Sequence, residues 1–161
     1  MSRKLRAIVF DDNDDDRYMV KRLLESRGYE VLGYADPSEC PLLHSHECQC
    51  GQTEACCDIL ITDLNMLKVS GLEFLEQQIQ KGCKITHIAV ASGDWSDSNL
   101  KHAQRLGCTT IEKTPTWDAL ADWLHERGPQ IDPSRLLSNW FLQQDNNNGA
   151  SPAEQDARGG K

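Results

Sequence analysis

The 161-residue chain reads as a doubly wound α/β domain built on a five-stranded parallel sheet. Three observations predict it. Five short apolar runs, rich in Ile and Val, alternate with segments of helical spacing. Several runs are continuous rather than alternating, which suits parallel strands covered on both faces. Each helical pattern stops at a glycine, the residue that closes a helix with least strain.

The first strand is LRAIVF (5–10), and residues 14–27 follow with Val20, Leu23 and Leu24 at helical spacing, closed by Gly28. YEVLGYA (29–35) is the second strand. The next connection should hold a full helix, yet Pro37, Pro41 and Gly51 leave room only for a short one. DILIT (58–62) is the third strand, and Leu72, Leu75 and Ile79 mark a helix over 71–81, closed by Gly82. HIAVAS (87–92) is the fourth strand, followed by a helix over 96–106 with Leu100, Ala103 and Leu106, closed by Gly107. CTTIEK (108–113) is the fifth strand. Trp117, Leu120, Ala121 and Leu124 then mark a helix over 116–127 that stops at Gly128. Alternating strands and helices of this kind build one parallel sheet with helices on both faces.

The domain therefore spans residues 1–128, with an insertion over 40–57 rich in Cys and His, and residues 129–161 form an extension. A cluster of Leu136, Leu137, Trp140 and Phe141 predicts a short helix near 134–143. The polar, Gly-rich remainder, DNNNGASPAEQDARGGK, has the composition of a disordered tail.

Seventeen basic against 25 acidic residues give a net charge of −8, which argues against direct nucleic-acid binding. No apolar run reaches the roughly 20 residues of a membrane span. The basic start meets Asp11 and Asp12 directly after AIVF, unlike a signal peptide. A cytoplasmic protein is expected, and its seven cysteines read as thiols or metal ligands rather than disulfides.

In an open parallel sheet, function collects at the carboxyl ends of the strands. Here those ends carry Asp11 and Asp12, Asp63, Ser92 and Lys113. Singly, each has an ordinary role: a helix cap, a turn residue, a solvated lysine. Together they are three carboxylates, a hydroxyl and an ammonium on one edge. Close carboxylates repel unless a cation joins them, and Mg²⁺ suits oxygen ligands while leaving positions for phosphate oxygens. A carboxylate can also act as a nucleophile toward phosphorus. The constellation reads as an aspartate that becomes phosphorylated.

The chain here resembles the receiver domain of two-component response regulators, over residues 5–127. IVFDDNDDDR resembles the acidic pair after the first strand. ILITDLNMLKVSG resembles the phosphoacceptor segment, with Met66 three and Gly71 eight residues after Asp63. IAVASGD and IEK resemble the later hydroxyl and lysine segments. The resemblance implies the flavodoxin-like strand order 2-1-3-4-5. It implies that Asp63 accepts a phosphoryl group from a histidine kinase or phosphotransfer protein in a Mg²⁺-dependent reaction, self-catalysed in part and without being an enzyme of turnover. Asp12, Asp63 and the Asn65 carbonyl would bind Mg²⁺, and Asp11 would bind through water. Ser92 and Lys113 would meet the phosphoryl oxygens. The partner-binding face would be the helix over 96–106, the fifth strand and the helix over 116–127. No DNA-binding domain fits in the 33 residues after Gly128, so output would run through protein partners.

Three departures stand out. Leu67 occupies the place of a usual proline. Lys113-Thr114-Pro115 replaces Lys-Pro, so aligning on the proline would put Thr114 in the lysine position. Aligning on the following helix keeps Lys113, which a buried phosphate needs. The strand also lacks the usual switch aromatic.

Residues 40–57 hold Cys40, His44, His46, Cys48, Cys50, Cys56 and Cys57, more than the four ligands of a tetrahedral Zn²⁺. Their order is not a paired CxxC pattern and singles out no four. A metal-sensing module is one alternative function. Another is a haloacid-dehalogenase-like phosphatase, with Asp11 or Asp12 as nucleophile and Gly93, Asp94 and Asp97 as its late acidic motif. That reading leaves Asp63 without a role.

Overall fold

Five parallel strands form the sheet in the computed structural model, which describes residues 5–40, 54–132 and 134–137. β1 (Leu5–Phe10) lies between β2 (Tyr29–Tyr34) and β4 (Ile59–Asp63), followed by β5 (His87–Ser92) and β6 (Thr109–Glu112). A two-residue strand, β3 (Glu54–Ala55), precedes β4, so the spatial order is β2-β1-β4-β5-β6. With that short strand set aside, this is the expected 2-1-3-4-5 order.

Period-two alternation sends successive side chains to opposite faces and so builds two cores. Ile8, Phe10, Leu60 and Val90 pack with Leu72, Phe74 and Leu75 of α2 (Gly71–Gln80) and Ala103 of α3 (Asp97–Leu106). Ala7, Val9, Ile59, Ile61 and Ala89 pack with Val20 and Leu24 of α1 (Asp14–Glu25) and Leu120 and Leu124 of α4 (Asp118–Arg127). Both faces are covered, which is why the strands read as continuous apolar runs.

Helix starts follow capping chemistry. Asn13, Ser70 and Ser96 accept from the main-chain N–H groups of Asp16, Glu73 and Asn99. Three of the four expected glycine stops, at Gly28, Gly82 and Gly107, have positive φ. Gly128 does not: its φ is −51°, and the chain continues into a 3-10 turn over Gly128–Gln130. Pro129 fits the first turn of such a helix, where no N–H is needed.

The expected helix near 134–143 is corrected within the described residues. Leu136–Leu137 form a strand, β7, pairing in parallel with β3. The arginine before it explains the difference. Arg135 grips Asp58 with Nε on Oδ1 and Nη2 on Oδ2, both at 2.6 Å. That fork draws the extension back over the amino end of the sheet, where Asp58 also accepts from Arg6 N at 2.9 Å. Beyond residue 137, the remainder of the expected helix and the tail lie outside the described residues.

The clasp yields a stability prediction. Arg135→Ala should lower the unfolding free energy by about 2–4 kcal/mol, because Asp58 is left as a buried carboxylate without its counter-ion. Urea unfolding should show Asp58→Ala costing less in that background than alone.

Candidate functional site

Strand register brings the polar ends together. Phe10 pairs with Thr62, Asp63 with Ala91, and Ser92 with Glu112. Asp11 thus leaves β1 beside the last residue of β4, and Lys113 leaves β6 beside the last residue of β5. The ladder runs past the strands: Leu64 N–H donates to Ala91 O at 2.8 Å and Lys113 N–H to Ser92 O at 2.9 Å.

Asp11, Asp12 and Asp63 each offer a carboxylate oxygen, all within 4.8 Å of one another. Asp11 and Asp63 are only 3% and 7% exposed. Lys113 Nζ lies 3.1 Å from Asp63 Oδ1, 3.1 Å from Asp11 Oδ2 and 2.9 Å from Asp16 Oδ2. Asp11 Oδ1 accepts from Asn13 N–H at 2.9 Å, so both its oxygens are engaged. Asp12 carries no hydrogen bond or ion pair to any described residue.

The electrostatics follow. Burial, then the charge of Asp11, pushes Asp63 up to about 6 against the pull of Lys113. Burial likewise raises Asp11, although Asn13 and Lys113 pull the other way. For Lys113, burial favours the neutral amine, but the hydrogen bond to Asp16 and the charges of Asp11 and Asp63 outweigh it and hold the ammonium firmly protonated. One ammonium does not neutralise this many carboxylates. The donor set, all oxygen, fits a hard divalent cation such as Mg²⁺.

The remaining predicted residues take varied positions. Ser92 is buried at the end of β5, but its hydroxyl turns to its own loop, accepting from Asp94 N–H at 3.0 Å and donating to Asp94 O at 3.2 Å. Asn65 is exposed on the loop leaving β4. Lys113, not Thr114, stands beside Asp63; Thr114 Oγ1 instead accepts from Trp117 N–H at 3.1 Å. Gly71 explains the glycine eight residues after Asp63. A Cβ there would collide with the Asp63 main-chain carbonyl and come within 3.1 Å of Thr62 Oγ1. Leu67, in the place of the usual proline, is 91% exposed. Asp94 and Asp97 do not join the carboxylate cluster.

The insertion gives no zinc site among the described residues, where the sole group of three or more potential ligands is the aspartate cluster. Cys40, Cys56 and Cys57 are buried and belong to the core, and Cys57 donates to Ile59 O. Burial raises the Cys57 thiol well above its usual range, so it stays protonated. His44, His46, Cys48 and Cys50 lie outside the described residues.

No family model matches the chain. A sensory/regulatory protein, RpfC of Xanthomonas campestris pv. campestris, is 27% identical over 128 residues, covering 74% of this chain but only 16% of that protein. Among solved structures, the chemotaxis response regulator CheY4 of Vibrio cholerae superposes with a TM-score of 0.61 and 25% identity, covering 77% of this chain and 98% of that one. A response regulator receiver domain from Clostridium thermocellum gives a TM-score of 0.63 at 23% identity, covering 78% and 95%. The fold is that of a response regulator receiver domain.

In this receiver fold two features escaped the sequence reading. Asp16, in the first turn of α1, is a third carboxylate on Lys113. Trp117 adopts the left-handed backbone, φ 57°, and its ring centroid lies 5.9 Å from Lys113 Nζ. The loop 113–117 therefore departs from a plain strand-to-helix turn, as the displaced proline suggests. Among the described residues, no helix is long and apolar enough to cross a membrane.

Two predictions follow. The folded pKa of Asp63, about 6, exceeds its ordinary 3.8. Native Asp63 thus binds its proton more tightly than unfolded Asp63, and ionisation opposes folding. That penalty is complete above about pH 6 and gone below the unfolded value. Asp63→Asn should therefore stabilise the metal-free protein by about 1–3 kcal/mol at pH 7.5, with the gain shrinking toward pH 4 in urea titrations. Gly71→Ala should cost about 2–3 kcal/mol at either pH, because the clash is with main chain that cannot move aside cheaply.

Proposed function

We propose that this chain is a phosphorylation-controlled receiver module of a two-component phosphorelay, with Asp63 as phosphoacceptor. The observation that carries the reading is the juxtaposition of three carboxylates within 4.8 Å with Lys113 Nζ at 3.1 Å from Asp63. The receiver fold supports it, as does the similarity to a sensory/regulatory protein. The donor would be a phosphohistidine of a kinase or phosphotransfer protein.

The residues suit that chemistry. A carboxylate oxygen of Asp63 would form the bond to phosphorus as the phosphorus–nitrogen bond of the donor breaks. Asp12, without a side-chain partner among the described residues, and Asp63, whose Oδ1 meets Lys113, would ligate Mg²⁺ directly, with the Asn65 carbonyl. Asp11, its oxygens held by Asn13 and Lys113, suits a water-mediated contact. Bound Mg²⁺ supplies charge neutralisation between the donor oxygens and the carboxylates. Lys113 then has a phosphoryl oxygen to meet. Ser92 would exchange its hydrogen bond to Asp94 for one to the phosphoryl group, moving the 93–96 loop. The face of α3, β6 and α4 would carry the change to a protein partner. The protein is a substrate of its kinase rather than a turnover enzyme.

Incubation with acetyl phosphate and Mg²⁺ should give an acid-stable, base-labile label on the wild type, lost with chelator and absent from Asp63→Asn. Lys113→Ala should accept the label yet show little change in hydrogen exchange over 97–117. Equal labelling of Asp63→Asn, or steady phosphatase turnover that survives it, would refute the reading in favour of a hydrolase.

A further inference from the structure

Three carboxylates surround the Lys113 ammonium: Asp11 and Asp16 accept hydrogen bonds from Nζ, and Asp63 Oδ1 lies 3.1 Å away as an ion pair. Two of these, Asp11 and Asp63, belong to the cluster of oxygen ligands. The third, Asp16, does not: its Oδ2 is 2.9 Å from Lys113 Nζ, from the first turn of α1 and 97 residues away in sequence.

The contact is built into a closed ring. Asp11 Oδ1 accepts from Asn13 N–H at 2.9 Å, Asn13 Oδ1 accepts from Asp16 N–H at 2.8 Å, Asp16 Oδ2 accepts from Lys113, and Lys113 returns to Asp11 Oδ2 at 3.1 Å. The capping of α1 therefore sets the place of the Asp16 carboxylate. Its neighbours Asp14 and Asp15 are exposed, and Asp14 pairs with Arg17 instead. A chance surface pair would lack this support.

We propose that Asp16 is a positioning residue that holds Lys113 back in the resting state, so that phosphorylation must draw the ammonium away from α1. The inference rests on the phosphoacceptor reading above and deepens it. A cation held by Asp12 and Asp63 would weaken the hold of the cluster on Lys113, but would leave the Asp16 charge in place. When up to about two negative charges arrive on Asp63, Lys113 is pulled toward them against that remaining tie. Asp16 thereby raises the threshold for the switch, and its release frees the first turn of α1 and the 113–117 loop together.

The test compares Asp16→Asn with Asp15→Asn, which removes the same charge from the same helical turn without touching Lys113. With saturating Mg²⁺, beryllofluoride is titrated while tryptophan fluorescence is followed, Trp117 lying against Lys113. Asp16→Asn should bind about five-fold or more tightly than wild type. Asp15→Asn should stay within about two-fold, because an exposed charge is screened. Equal effects in the two variants, or weaker binding by Asp16→Asn, would overturn the proposal. A second measurement needs no ligand: amide exchange over 113–117 should rise in Asp16→Asn and not in Asp15→Asn. If the wild type ignores beryllofluoride, the phosphoacceptor reading falls. Unchanged exchange would refute the tie itself.

Discussion

The structure is organised around one electrostatic constraint, the crowding of carboxylates at the carboxyl edge of the sheet with a single ammonium to answer them. Asp11 and Asp63 are nearly dry, and charges that close repel strongly where solvent is excluded. Lys113 relieves this only in part, since Asp63 remains raised to about 6. The rest of the edge is shaped to keep these groups in place. Ladder bonds extend past β4 and β6, Asn13 pins Asp11, and Gly71 lets α2 approach the Asp63 main chain. The remaining charge imbalance is consistent with a site for a hard cation.

β4 carries a buried acid at each end, and the two differ in how they are answered. Asp58, just before the strand, receives both arms of the Arg135 fork and the Arg6 main-chain N–H. Those donors engage both its oxygens, and it acts as an anchor for β7. Asp63, at the other end, has one shared ammonium. The strand between them is about 17 Å long at ordinary strand rise, so one apolar element separates a clasped carboxylate from one in the acidic cluster. What distinguishes the two is the number of donors, not depth, because both are buried.

The sequence made legible what depends on local pattern. Continuous apolar runs announced a doubly covered sheet, and the residues closing them named Asp11, Asp12, Asp63 and Lys113 as neighbours. Asp16 was hidden among Asp14 and Asp15, where an acid in the first turn of a helix is expected from the dipole alone. Its partner lies 97 residues away, and only the folded β6 brings it near. The Asp58–Arg135 fork spans 77 residues and turned an apparent helix into a strand for the same reason. Leu136 and Leu137 looked helical because apolar pairs suit either structure until a distant contact decides. Trp117 was read as a helix face residue, whereas its left-handed backbone closes the turn before α4.

Placement of Lys113 finally depends on a short edge strand. β6 has four residues and one neighbour in the main sheet, β5, so its hydrogen-bond ladder alone holds it on one side. Two indoles supply further restraint from opposite faces. Trp95 donates to Ile111 O at 3.1 Å and packs with the core shared by α2 and α3. Trp123 donates to Thr109 Oγ1 at 3.2 Å and belongs to the core shared by α1 and α4. Each indole places a large apolar body in a core and a polar tip on the strand, a use to which tryptophan is suited. Receivers commonly carry an aromatic on this strand itself; here Thr110 and Ile111 stand there, and the aromatics reach it from outside. Trp95 also sits in the loop that holds the Ser92 hydroxyl through Asp94, so the β5 loop and the β6 strand are mechanically joined two residues before Lys113. The missing strand aromatic therefore does not leave the two halves of the site independent. Any displacement of the Ser92 loop must either carry β6 with it or break the Trp95 hydrogen bond.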